Sequence, residues 1–142
     1  MYFLQEVFLF LENQTGCESS EFNSETDIHT DLGVSGDDFH EMIDEFSKKF
    51  NVDIASYLWY FHTEEEGGWN SIGSSFFKPP NERVTRIPVT PGLLLESANL
   101  GKWKIEYPEH KLPKRRYDII INGLIVLPVF CYLLYRLIKW IL

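Results

Sequence analysis

At 142 residues the chain has room for one domain and little else. Its net charge of −8 is unevenly held: residues 1–101 carry 18 Asp/Glu against 5 Lys/Arg, a net of −13, and residues 102–142 carry 3 against 8, a net of +5. The acidic part excludes a binder of the phosphate backbone, so no nucleic acid partner is expected, and the split predicts two different environments for the two parts.

In residues 2–14, Phe3, Leu4, Val7, Phe8, Phe10 and Leu11 share a broad apolar face and leave Gln5, Glu6 and Glu12 outside, which predicts a first core helix. The run has no basic n-region and acid groups interrupt it, so it does not read as a signal peptide. Residues 15–29 form a polar loop that ends against a turn on Asp31-Leu32-Gly33. Ser35 with Asp38 then has the form of a capping box. Behind it Phe39, Met42, Ile43, Phe46 and Phe50 recur at helical spacing as one apolar stripe. Asp37, Asp38, Glu41, Asp44 and Glu45 fall on the other faces, so the exposed side of this helix is predicted to be almost purely acidic. Lys48 and Lys49 stand at its other end, where cations are favoured.

Residues 54–61 predict a short aromatic helical piece of core. Residues 62–75, with Glu64-Glu65-Glu66 and Gly67-Gly68, read as a solvated loop. Two β-like pieces around Pro79-Pro80-Asn81 predict a small hairpin across residues 76–90. Thr90 as N-cap, Pro91 at the first position, an apolar run through Leu100 and a stop at Gly101 predict the last core helix. Trp103, Ile105 and Tyr107 alternate with Lys104 and Glu106, as expected of an extended segment returning along the domain.

The C-terminal stretch is of another kind. Residues 119–135 contain no charge, and Asn122 is their one strongly polar member. At about 1.5 Å per residue this run nearly spans a hydrocarbon core of about 30 Å, and Arg136 and Lys139 extend it by snorkelling. Lys111, Lys114, Arg115 and Arg116 precede it, so by the positive-inside rule that side is cytoplasmic. The expected organisation is a cytoplasmic domain over residues 1–110, a basic linker over 111–118 and a single-pass anchor over 119–142, in a bacterial inner membrane. Cys17 and Cys131 predict neither a metal site nor a disulfide.

The order of helix, long loop, D-L-G turn, acidic second helix, short aromatic helix and T-P-initiated helix resembles an acyl carrier protein. The residues that carry the likeness are Asp31, Leu32, Gly33, Asp38 and Glu41, with the helix to Phe50. In that family a serine opening the second helix carries phosphopantetheine, and basic patches on partner enzymes read the acidic helix. The serine position falls on Gly36 and the preceding aspartate on Ser35, so no hydroxyl stands where the phosphodiester forms. A closer resemblance is to a bacterial family of unknown function, DUF1493. Its marks are the D-L-G-x-x-G-D-D turn from Asp31 to Asp38, the F-x-V-D ending from Phe50 to Asp53, and the stretch from Ile87 to Pro91 and on through Trp103. That resemblance implies a carrier-like fold and no particular activity.

The expected fold is therefore mainly α: a small helical bundle like an acyl carrier protein, with a β-hairpin insertion and one C-terminal transmembrane helix. An EF-hand counted from Asp27 fails, with His29 third, Leu32 sixth and Asp38 twelfth, and no metal is expected. No nucleophile–base motif appears, so no enzyme and no catalytic residue is expected. The leading expectation is a membrane-tethered interaction module that offers Asp37, Asp38, Glu41, Asp44 and Glu45 to a basic protein partner. It needs no cofactor, and its other contact is the lipid bilayer. Two alternatives stand beside it: a carrier protein holding phosphopantetheine on the displaced Ser35, and a small acidic immunity or inhibitor protein.

Overall fold

Apolar spacing in residues 4–15 produces α1 (Leu4–Thr15), which buries Val7, Phe10 and Leu11. Phe3 precedes the helix and stays exposed; its amide donates to Glu6 Oε2 at 2.7 Å and closes the first turn. Gly16, left-handed at φ 73°, ends α1 by donating its N–H to the Glu12 carbonyl. These elements come from a computed structural model that describes residues 1–65 and 72–141.

The stripe on α2 (Gly36–Phe50) behaves as its spacing predicts: Phe39, Met42, Ile43, Phe46 and Phe50 are each at most 3% exposed. Phe10 of α1 meets Phe50 edge to face at 5.7 Å and Phe46 at 6.0 Å. Burying one such phenyl ring contributes about 1.5–3 kcal/mol, so the stripe as a whole outweighs the modest helix propensity of its residues. Lys49 lies over the rings of Phe10 and Phe50, which joins the last turn of α2 to the same aromatic cluster.

Three residues punctuate α4 (Pro91–Leu100). Thr90 Oγ1 accepts the Leu93 amide at 3.2 Å, Pro91 takes the first position, and Gly101 at φ 68° stops the helix. Leu94, Ser97 and Ala98 are buried, and α4 packs on α1. The Asn99 side chain holds the start of α1 by accepting from the Tyr2 amide and donating to the Tyr2 carbonyl. Ile28, Val52, Val89 and Trp103 close the core from the connecting segments. The chain after α4 runs extended, as its alternation predicts, and one parallel bridge between Asp53 and Lys102 holds it.

Three expectations need correction. The hairpin does not form: residues 76–90 contain the end of α3 (Ile72–Phe76), a 3-10 turn at Pro80–Arg83 and an extended run, with no strand among the described residues. Pro79, Pro80 and Pro88 lack the N–H groups a ladder needs. The remaining groups bond singly elsewhere, Ile87 N–H to the Phe61 carbonyl and the Val89 carbonyl to the Ile28 amide. Residues 62–65 are not a solvated loop either, since His62 and Thr63 are 1% and 2% exposed. Of the rest of that expected loop, residues 72–75 are helical, as part of α3, and residues 66–71 lie outside the described residues. The capping box also fails, because the Ser35 side chain makes no capping bond.

The last helix, α5 (Tyr117–Ile141), runs through Pro128 and is long and apolar enough to cross a membrane. Only 6% of its most apolar window is buried within the protein. At about 1.5 Å per residue it is roughly 37 Å long, against a hydrocarbon core of about 30 Å. Its N-terminal turns pack on α3, and Gly73 makes that approach close: a Cβ there would overlap the Asp118 carbonyl. The Gly73 amide donates to Asn122 Oδ1 at 2.7 Å, so the polar residue in the apolar run has its partner on α3.

Candidate functional site

The α2 stripe that fills the core forces the carboxylates outward. Asp37, Asp38, Glu41, Asp44 and Glu45 are all exposed. Glu45 pairs with Lys48 at 2.7 Å, one helical turn on, an exposed contact of the kind worth about 0.2–0.5 kcal/mol. Between the C-terminus of α1 and the start of α2 lies an open cleft of ≈ 260 Å³, lined by Thr15, Leu32, Val34 and Met42 with Asp38 and Glu41 at its edge.

The start of α2 departs from a regular helix entry. Gly36 is buried and left-handed at φ 56°, a region that disfavours any residue with a Cβ. Its amide donates to Thr63 Oγ1 at 2.9 Å, so a hydroxyl 27 residues away satisfies the first free amide of the helix. Ser35 occupies the N-cap position and its carbonyl accepts the Phe39 amide, but its side chain makes no capping bond and is exposed. Position 36 does not fit phosphopantetheine: it offers no hydroxyl, it is buried, and its backbone is one that a serine would strain.

The D-L-G turn is internally bonded. Asp27 accepts from the His29 amide at 3.0 Å, and its own amide donates to Asp31 Oδ2 at 2.8 Å. Arg86 takes both Asp27 oxygens, at 3.2 and 2.5 Å. Burial raises the Asp27 carboxyl, but the Arg86 guanidinium and the His29 amide outweigh it and hold the group below its ordinary value. Among the described residues no group of three His, Cys, Asp or Glu side chains is placed to hold a metal ion.

The sequence reading missed a polar cluster centred on His62. Its Nδ1 lies 2.8 Å from the Ile87 carbonyl, which only accepts, so Nδ1 carries the proton. Nε2, 2.7 Å from the Tyr107 hydroxyl, then accepts that O–H, while the Tyr107 oxygen accepts from Trp103 Nε1 and the Leu58 amide. Burial is the main cause that lowers His62 to about 4, so the ring is neutral at pH 7. Tyr57 stacks on it with ring centres 5.3 Å apart. Both ring nitrogens are engaged and the side chain is 1% exposed, which makes this a packing device. Its partners lie 25 and 45 residues along the chain, and no local pattern announces them.

The four basic residues before α5 divide. Lys111, Lys114 and Arg115 are exposed and have no ion-pair partner among the described residues. Arg116 instead reaches Asp118 at 2.5 Å and Glu65 at 2.6 Å, binding the helical region to the first turn of α5.

These features define a class: a small α-helical protein with an acidic second helix and a C-terminal helix able to span a membrane. Residues 4–106 match the family described as protein of unknown function (DUF1493), and the chain belongs to that family. No curated protein and no solved structure matches it.

Proposed function

We propose that the chain is a non-catalytic interaction module of carrier-protein type, tethered in a bacterial inner membrane by α5, that presents the acidic face of α2 to a basic protein partner. The observation that carries this reading is the exposure of all five carboxylates on one helix whose opposite stripe is buried. Such a face attracts a cationic surface, and clustered like charge raises the rate of encounter. Gly36 supports the non-carrier part of the reading, because buried left-handed backbone stands where the family of carriers needs a serine. The His62 cluster supports the non-catalytic part, since the most perturbed histidine is shut away from any substrate. The basic residues before α5 support a cytoplasmic helical part, by the positive-inside rule.

The test uses full-length protein in mild detergent, cross-linked in its host before extraction. Asp37→Lys, Asp38→Lys and Glu41→Lys together are expected to abolish the stoichiometric cross-linked partner while far-ultraviolet circular dichroism stays unchanged. A partner retained by the triple variant refutes the docking face. A second reading, a carrier modified at Ser35, is favoured by one observation: that hydroxyl is exposed and makes no capping bond. Intact mass of the native protein decides it, since a phosphopantetheine increment that disappears in Ser35→Ala establishes the carrier and an unmodified mass removes it.

A further inference from the structure

The cations around the base of α5 enclose a cavity. Phe77, Pro80, Leu112 and Tyr117 form its apolar walls, and Lys78, Arg83, Arg115 and Arg116 supply its charge, with Asp118 at one side. Its interior is ≈ 60 Å³, roughly four water-sized positions, which suits a compact group such as a phosphate and is far too small for an acyl chain. Arg116 is committed to Asp118 and Glu65. Arg83 donates through Nε to the Lys78 carbonyl at 2.7 Å, which fixes its guanidinium beside the cavity. Lys78 and Arg115 have no ion-pair partner among the described residues, so the lining keeps an excess of positive charge.

The surroundings say which anion. The cavity opens beside the first turn of the helix that is apolar enough to span a membrane. Phe77 and Tyr117 in its lining are 39% and 45% exposed with rings 5.6 Å apart, and Ile72 and Phe76, at the two ends of α3, are 49% and 72% exposed. Exposed aromatic rings flanking a span at the level of its first turn are suited to the headgroup region of a bilayer. Unpaired Lys and Arg at the same level attract anionic lipid. We propose that this cavity is a binding site for the phosphate of an anionic phospholipid headgroup, with Lys78 and Arg115 as its principal contacts and Phe76 and Phe77 seated in the interface beside it. The acidic face of α2 repels the same lipid.

This inference rests on the reading of α5 as a membrane span, and the experiment separates the two. Full-length protein is first extracted from membranes with alkaline carbonate and then with detergent. Recovery in carbonate alone refutes the span and the lipid site together; recovery only in detergent keeps the span and leaves the site to the second step. There the protein is released from micelles doped with phosphatidylglycerol or phosphatidylcholine and weighed by native mass spectrometry. The expected result is a one-to-one phosphatidylglycerol adduct, reduced roughly tenfold or more in Lys78→Gln/Arg115→Gln. The same adduct survives in Lys111→Gln/Lys114→Gln, which removes equal charge away from the cavity. Equal adducts with both lipids, or equal loss in the two double variants, overturns the site in favour of diffuse attraction. Full displacement of the lipid by millimolar inorganic phosphate identifies a free-phosphate site and overturns the lipid assignment.

Discussion

On α2, Phe39, Met42, Ile43, Phe46 and Phe50 are at most 3% exposed, whereas on α5 Leu127, Phe130 and Leu133 are 63%, 60% and 58% exposed. The residue types are alike and the periodicities differ. Apolar side chains at 3.6-residue spacing make one stripe, which the chain can cover with α1, α4 and its connecting segments. Apolar side chains on every face leave most of a helix uncovered however the rest of a small protein packs, and α5 is long and apolar enough to find that cover in a membrane. The two regions meet where α3 and the segment before α5 join them, through Gly73 to Asn122, Arg116 to Glu65 and the rings of Phe77 and Tyr117. Burial thus separates the regions, and a few hydrogen bonds and ion pairs orient one on the other.

The largest expected effect tests that contrast directly. Phe39→Ala empties a position with 0% exposure and is expected to cost about 3–5 kcal/mol of unfolding free energy, from the lost transfer energy and the cavity left behind. Phe130→Ala, the same change on α5, is expected to stay within about 0.5 kcal/mol. Both are read by urea unfolding of the full chain in mild detergent, followed through aromatic circular dichroism. Comparable losses from the two substitutions mean that α5 is packed against protein and the contrast is false.

A smaller effect, from pH, acts on one region alone. The His62 ring falls to about 4 in the folded protein, with burial as the first cause, while an unfolded histidine titrates near 6.5. Between those values the unfolded chain binds more protons than the folded one, so stability drops as the pH falls from about 6.5 towards 4, by up to about 3 kcal/mol. Asp27, held low against its burial by Arg86 and the His29 amide, adds a loss of the same sign at lower pH. His62→Gln removes the histidine part of the slope and leaves the aspartate part. If the wild type and His62→Gln show the same dependence between pH 6.5 and 4.5, the ring is not buried as a neutral base.

Legibility in the sequence followed the range of each interaction. The α2 stripe, the Thr90-Pro91 entry and Gly101 exit of α4, and the apolar length of α5 are written within one or two helical turns, and each was readable. The hairpin misled because a β-like piece reads the same whether its groups pair in a ladder or singly with Phe61 and Ile28. The small helix α3, five residues reading IGSSF, is too short for a period and is held by its packing on α5. The acidic face was legible because it is the complement of the stripe. His62 with Tyr107, Thr63 with Gly36, and Arg116 with Glu65 join residues 27 to 51 apart, and only the fold brings them together.

The smallest effects distinguish how the helices begin, and they bear on function. α4 is capped locally, so Thr90→Ala is expected to cost about 1 kcal/mol. α2 is capped from a distance, so Thr63→Val leaves the buried Gly36 amide without an acceptor and is expected to cost about 1–2 kcal/mol. Ser35→Ala, which removes the hydroxyl that local rules assign to capping, is expected to change the unfolding midpoint by less than either. A cost near 1 kcal/mol at Ser35 means its hydroxyl does cap α2 and Thr63 is incidental. The distinction matters because a hydroxyl without a structural task makes Ser35→Ala a clean probe: a change in mass or partner capture in that variant then reports chemistry at Ser35, since α2 and its acidic face remain as they were.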